Sequence, residues 1–121
     1  MIRGIRGAIT VELNTRKAIL DATGELLAEM SGQNNLETPD IASIIFSVTE
    51  DLNAAFPAEA ARKLGWLGTP LLCTVEIAVP GSIAKCVRVL MQVNTEKKQS
   101  EIKSVYLKGA KKLRPSFGGQ G

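Results

Sequence analysis

The chain has 121 residues, 45% of them hydrophobic and 22% charged, and a net charge of +3. That length suits one domain that buries about two-thirds of its unfolded surface without disulfide staples, and the composition excludes disorder along most of the chain. Histidine is absent, so the commonest metal ligand and the commonest neutral-pH base are missing; a zinc site would need both cysteines and carboxylates without a C-x-x-C pair, and no metal is expected.

Residues 2–12 read as a strand, with Ile5, Gly7, Ile9 and Val11 on one face and Arg6 and Thr10 on the other. Gly4 and Gly7 weaken a plain strand but admit close approach of another backbone or a ligand. Asn14 or Thr15 caps a helix whose apolar stripe is Ile19, Ala22, Leu26, Leu27 and Met30, with Gly32 just past its end. Gln33 to Asp40 reads as a loop. Ile41 to Val48 is the next strand, and its nearly continuous apolar run suggests burial on both faces. A short helix follows, with Pro57 in its first turn, Ala58, Ala60, Ala61 and Arg62 along it and Gly65 ending it.

Pro70 opens a third strand, Leu71 to Ala78, and Pro80-Gly81 turns the chain. The fourth strand, Ala84 to Asn94, sets Val87, Val89, Met91 and Val93 on one face and Cys86, Arg88, Leu90 and Gln92 on the other. A charge in the middle of an apolar strand is unusual, which singles out Arg88. Lys97 to Ser104 is a polar connection with room for a helical turn, Val105 to Leu107 can add a short strand, and Ser116 to Gly121 reads as a mobile tail. The order β-α-β-α-β-β implies an α+β (α/β-like) fold, a mixed sheet with helices on one face, whose bare face calls for a partner such as a second copy.

No apolar run approaches the ~20 residues that span a bilayer, and Met1 to Thr10 lacks a signal-peptide core. With only Cys73 and Cys86, fewer than a secreted scaffold of this size usually carries, the chain reads as cytoplasmic. The charge is uneven: residues 1–80 sum to −4 and residues 81–121 to +7. A basic third could meet nucleic acid or a small anion, but five aromatics in the whole chain argue against a stacking platform, and most of the lysines suit a solvated face.

Arg6 and Arg88 lie on the polar sides of apolar strands, and a guanidinium fork suits a carboxylate; Arg62 and Arg114 could add to them. The competing reading pairs each arginine with an acid or leaves it in solvent. Glu76 could be a base, a hydroxyl acceptor or an arginine partner. A tight hairpin about Pro80-Gly81 would put Glu76 opposite Lys85 and Arg88 opposite Cys73, on opposite sheet faces, so a shared site would need a different pairing or a second subunit. Without a histidine to activate it, Cys73 reads as a small buried residue.

Taken together, several pieces resemble the monofunctional chorismate mutases of the AroH class. They are Ile2-Arg3-Gly4-Ile5-Arg6-Gly7-Ala8, Phe56-Pro57-Ala58 with Ala61-Arg62, and Pro70-Leu71-Leu72-Cys73 with Glu76. Cys86-Val87-Arg88-Val89-Leu90-Met91, Val105-Tyr106-Leu107 and Leu113-Arg114-Pro115 complete the set. The resemblance covers residues 1–115 as a single domain, with 116–121 as the tail. It implies a homotrimer of pseudo-α/β-barrel type with sites between subunits, and conversion of chorismate to prephenate on the way to phenylalanine and tyrosine. It implies no cofactor and no metal. Under it, Arg88 donates to the ether oxygen as negative charge grows there, Arg6 binds a carboxylate, and Glu76 accepts from the ring hydroxyl with Cys73 beside it. Tyr106 contacts the substrate, Phe56, Ala58 and Arg62 form a wall supplied across the interface, and Leu113 with Arg114 closes over the ligand. Glu59 departs from the family's pattern, where relatives carry a basic residue, as does Leu72, where a hydroxyl can occur. The alternatives are a non-catalytic trimeric dicarboxylate-binding or sensor protein, a basic RNA-binding domain, and a structural trimer whose strand arginines only pair acids.

Overall fold

The computed structural model describes residues 1–114; the expectations of a domain end at 115 and a flexible tail over 116–121 lie outside the described residues. Strand β1 (Ile2–Thr10) leads to helix α1 (Arg16–Gln33), then β2 (Ile41–Val48), the short helix α2 (Glu59–Lys63), β3 (Leu71–Val75), β4 (Cys86–Asn94) and β5 (Val105–Leu107). A 3₁₀ segment, Lys108–Leu113, follows β5. The five strands form one mixed sheet in the order β3-β2-β4-β1-β5. β4 runs antiparallel to both of its neighbours, whereas β2 with β3 and β1 with β5 are parallel pairs. The expected mixed sheet with helices on one face is therefore present, and Val105–Leu107 does join it.

Strand alternation assigns the two faces. Ile5 and Ile9 of β1, Ile44, Phe46 and Val48 of β2, and Val87, Val89, Met91 and Val93 of β4 point into one core with the α1 stripe Ile19, Leu26, Leu27 and Met30. Helix α1 starts where expected: Thr15 Oγ1 accepts from the Ala18 amide at 3.1 Å. It ends later than expected, because Gly32 is still helical and Asn34 forms the cap. The buried Asn34 amide donates to the carbonyls of Met30 and Lys103 and accepts from the Lys103 amide, tying the helix end to the approach to β5. The last carbonyls are met without a glycine: Asn35, at φ 51°, and Leu36 donate their amides to the carbonyls of Gly32 and Ser31.

Burial of β2 on both faces does not hold. Its pattern alternates, with Ile44, Phe46 and Val48 buried and Ile45 and Ser47 half-buried, because helices cover only one side of the sheet. A register irregularity between Ile41 and Ser43 returns Ile41 to the core side, and Ile45 on the open face makes the apolar run look continuous in sequence. The bare face is partly covered by the chain itself: Ala110 of the 3₁₀ segment packs on Ala8, Cys86 and Tyr106.

Gly7 is the point of closest approach between β1 and α1. A Cβ there would stand 2.4 Å from Sδ and 3.0 Å from Cε of Met30, which is fully buried in the packed core and would have to shift. Gly7→Ala is expected to lower unfolding stability by about 1–3 kcal/mol through overpacking; the check is a urea titration, in which the midpoint falls and the slope is unchanged.

Candidate active site

The register of β4 builds the site. Arg88 lies directly opposite Ala8 of β1 and Ser47 of β2, two small residues that leave a depression around the guanidinium on the helix-free face. Arg6 shares that face of β1, opposite Leu90, and Ile45 flanks Leu90 from the other side. Across β1, Tyr106 of β5 is paired with Ala8, and Leu113 of the 3₁₀ segment closes that end. The result is an open cavity of about 460 Å³ that Arg6, Ser47, Glu76, Arg88, Tyr106 and Leu113 line.

Glu76 reaches this cavity by a route the hairpin expectation misses. β3 and β4 are not neighbours, since β2 lies between them. β3 ends at Val75 rather than Ala78, and the Glu76 amide still donates to the Val48 carbonyl at 2.8 Å. The side chain thus falls on the same face as Thr74, Ser47 and Arg88, and its Oε1 lies 3.7 Å from Arg88 Nε. Glu76 and Arg88 meet within one chain, where the hairpin pairing had put them on opposite faces. At 3.7 Å the contact is an ion pair longer than a hydrogen bond, so the carboxylate orients the guanidinium without taking up its donors.

The remaining expected site residues form a second group. Cys73 pairs with Phe46 and belongs to the helix side of β3, so it is across the sheet from Glu76 rather than beside it. It lines a cavity of about 490 Å³ with Phe56, Pro57, Arg16, Glu59 and Val75. Burial pushes the Cys73 thiol up, partly offset by the Ala58 backbone and the Arg62 charge, which places both beside it. Ala58 is buried, whereas Arg62 and Phe56 are exposed. Arg114 is exposed at the end of the 3₁₀ segment and lines neither cavity. The four arginines are therefore not one cluster within a chain: Arg6 and Arg88 share a cavity, Arg62 lies behind the β3 edge, and Arg114 stands at the tail.

Sequence reading missed Ala8, Ile45 and Ser47 as cavity floor; the alternation of β2 carried the signal for the last two. It also missed the partner of Glu59, whose Oε2 lies 2.6 Å from Arg16 Nη2. Among the described residues no group of three or more His, Cys, Asp or Glu could hold a metal ion, and no helix is long and apolar enough to cross a membrane. Along the β3 edge and beyond it, Leu72, Val75, Ile77 and Val79 are exposed, Ile77 to 82%.

The chorismate mutase type I family matches the chain over residues 2–117. The chain is 51% identical to a chorismate mutase AroH from Thermus thermophilus over 118 residues, which is 97% of each chain. It is 45% identical to a chorismate mutase AroH from Bacillus subtilis (strain 168) over 118 residues, covering 97% of this chain and 93% of that one. Among solved structures, a chorismate mutase from Clostridium thermocellum matches with a TM-score of 0.90 and 58% identity, covering 91% of this chain and 98% of the other.

The two thiols are free and unequally accessible. Cys86 is fully buried, and burial pushes its thiol up to about 11 despite the nearby Arg88 charge. The thiolate is the reactive form, so a raised value suppresses reaction at neutral pH. In the native protein at pH 8, a thiol reagent such as dithiobis(nitrobenzoate) is expected to modify Cys73 slowly and Cys86 only after unfolding. Titration of two thiols before unfolding would contradict this burial.

Proposed function

The chain belongs to the type I chorismate mutase family, and from that premise we propose how its own residues carry the isomerisation of chorismate to prephenate. The substrate bears two carboxylates, an ether oxygen and a ring hydroxyl. In one concerted step its ether C–O bond breaks as a C–C bond forms within the same molecule. The balance needs no proton transfer, nucleophile or electron carrier, which suits a chain without histidine. What remains for the protein is to hold a flexible dianion in its compact shape and to stabilise the negative charge that grows on the ether oxygen.

One observation carries this reading: Arg88 stands at the centre of an open sheet face with Arg6 in the same cavity and Glu76 only 3.7 Å away. Arg88 donates to the ether oxygen, and because it is already held by strand pairing and by Glu76, it needs little reorganisation as charge develops. Arg6 binds a substrate carboxylate through its planar fork. Glu76 accepts from the ring hydroxyl with the oxygen lone pairs that the long ion pair leaves open. Tyr106 contacts the substrate from the β5 side, and Leu113 walls it from the end of the single domain, with Arg114 exposed beside it.

Phe56, Ala58, Arg62 and Cys73 belong to a second surface of the same chain, beyond the β3 edge. We assign them to the site of a neighbouring subunit in a homotrimer, so that each cavity is completed by a wall from the next copy. Two features support this. The cavity around Arg88 is open, and the exposed apolar residues Leu72, Val75, Ile77 and Val79 lie along the β3 edge and just beyond it. A cytoplasmic location accords with a biosynthetic isomerase.

Purified protein is expected to consume chorismate, followed by its absorbance, at an undiminished rate in the presence of a chelator. Arg88→Ala should lower kcat at least a hundredfold, about 3 kcal/mol, as loss of one preorganised donor does. Arg88→Lys keeps the charge but loses the fork and should also fail; near-full activity of Arg88→Lys would remove the assignment. Light scattering should give three times the 12.9 kDa chain mass. Co-expression of Arg88→Ala with Arg62→Ala chains should recover activity that neither has alone, because some sites then take both intact residues from different subunits. A lack of recovery would place both residues in one chain's site.

A further inference from the structure

The 3₁₀ segment that brings Leu113 to the cavity is anchored at its start by a contact that the chemistry above does not use. Oγ1 of Thr10, the last residue of β1, accepts a hydrogen bond from the Gly109 amide at 2.9 Å. Only glycine allows this approach, since a Cβ at 109 would stand 2.9 Å from that oxygen and 3.1 Å from Cγ2 of Thr10. Lys108 precedes it with φ 53°, a left-handed conformation that turns the chain from β5 into the segment. Its Nζ is held 3.6 Å from Glu25 of α1. One residue beyond Gly109, Ala110 is fully buried on Ala8, Cys86 and Tyr106. With three residues per turn, Ala110 and Leu113 share a face of the segment, so the docking that seats Ala110 also decides where Leu113 meets the cavity.

We propose that Thr10 is a positioning residue for the substrate site: through the Gly109 amide its hydroxyl holds the 3₁₀ segment in the placement where Leu113 walls the substrate. This rests on the reading that Leu113 contributes to the site. A six-residue 3₁₀ segment has little intrinsic stability, so its docked fraction depends on a few contacts, and this one is a directional bond to the sheet that lines the cavity. Substrate binds the docked form. When docking weakens, the apparent KM rises in inverse proportion to the docked fraction, while kcat, measured with the segment held by bound substrate, stays the same.

The test compares Thr10→Val, which keeps the shape but loses the acceptor, with Thr10→Ser, which keeps the acceptor, in steady-state kinetics with chorismate well below the melting temperature. Thr10→Val is expected to raise KM about three- to tenfold, the effect of one neutral hydrogen bond, with kcat unchanged; Thr10→Ser is expected to stay near wild type. An unchanged KM in Thr10→Val, a loss confined to kcat, or an equal defect in Thr10→Ser would overturn the proposal. Should Thr10→Val fail to fold, Gly109→Ala disturbs the same contact from the other side and must show the same KM-only loss. Leu113→Ala separates this proposal from the reading beneath it. If Leu113→Ala leaves KM unchanged, the wall itself is misassigned, whereas a raised KM there with a wild-type Thr10→Val defeats the Thr10 proposal alone.

Discussion

The placement of β4 between β1 and β2, antiparallel to both, is the constraint on which the rest of the molecule depends. Side chains alternate with a period of two, so a one-residue slip of β4 would exchange its faces. Val87, Val89, Met91 and Val93 would leave the core, and Arg88 would enter it without an acid to meet it, a large desolvation cost. The burial that stabilises the fold and the exposure that makes Arg88 available are thus one and the same register. That register also sets Ala8 and Ser47 beside Arg88, and larger residues at those points would fill the cavity floor.

The two faces of the sheet divide the work. On one, α1 and α2 cover an apolar surface so tightly that Gly7 cannot accept a methyl group without displacing Met30. On the other, among the described residues, a small cluster of Ala8, Cys86, Tyr106 and Ala110 is dry and the surface around Arg88 is open. A polar site needs such a bare face, because guanidinium and carboxylate groups buried under a helix would have to satisfy each other rather than a substrate. The open ion pair between Glu76 and Arg88 is the consequence: close enough to orient, too long to use up the donors.

An open face and an apolar strand edge are also unfinished surfaces. Leu72, Val75, Ile77 and Val79 stand in solvent along the β3 edge and just beyond it. A trimer would remove that exposure and complete each cavity at once, so assembly and catalysis would share a single driving force. Glu59, on the rim of the Cys73 cavity, is engaged by Arg16 at 2.6 Å, so its charge is met by its own neighbour.

Local pattern alone determined much of this protein. The apolar stripe of α1, the alternating faces of β1 and β4, the Thr15 cap and the oddity of Arg88 all follow from side-chain periodicity and local hydrogen bonding, which act over a few residues. The short motifs around Arg6, Glu76 and Arg88 were enough to point to the family. Which strands touch was decided only by the tertiary structure. A turn at Pro80-Gly81 favours pairing β3 with β4, and nothing local says that β2 will lie between them. That insertion brings Glu76 to Arg88, carries Cys73 to the opposite face, and makes Ser47 part of the site. Strand order is settled by burial summed over the whole core and by crossovers dozens of residues long. The convergence of Glu76, Arg88 and Arg6, on which the proposed chemistry rests, is a property of the packed sheet and of no single stretch of chain.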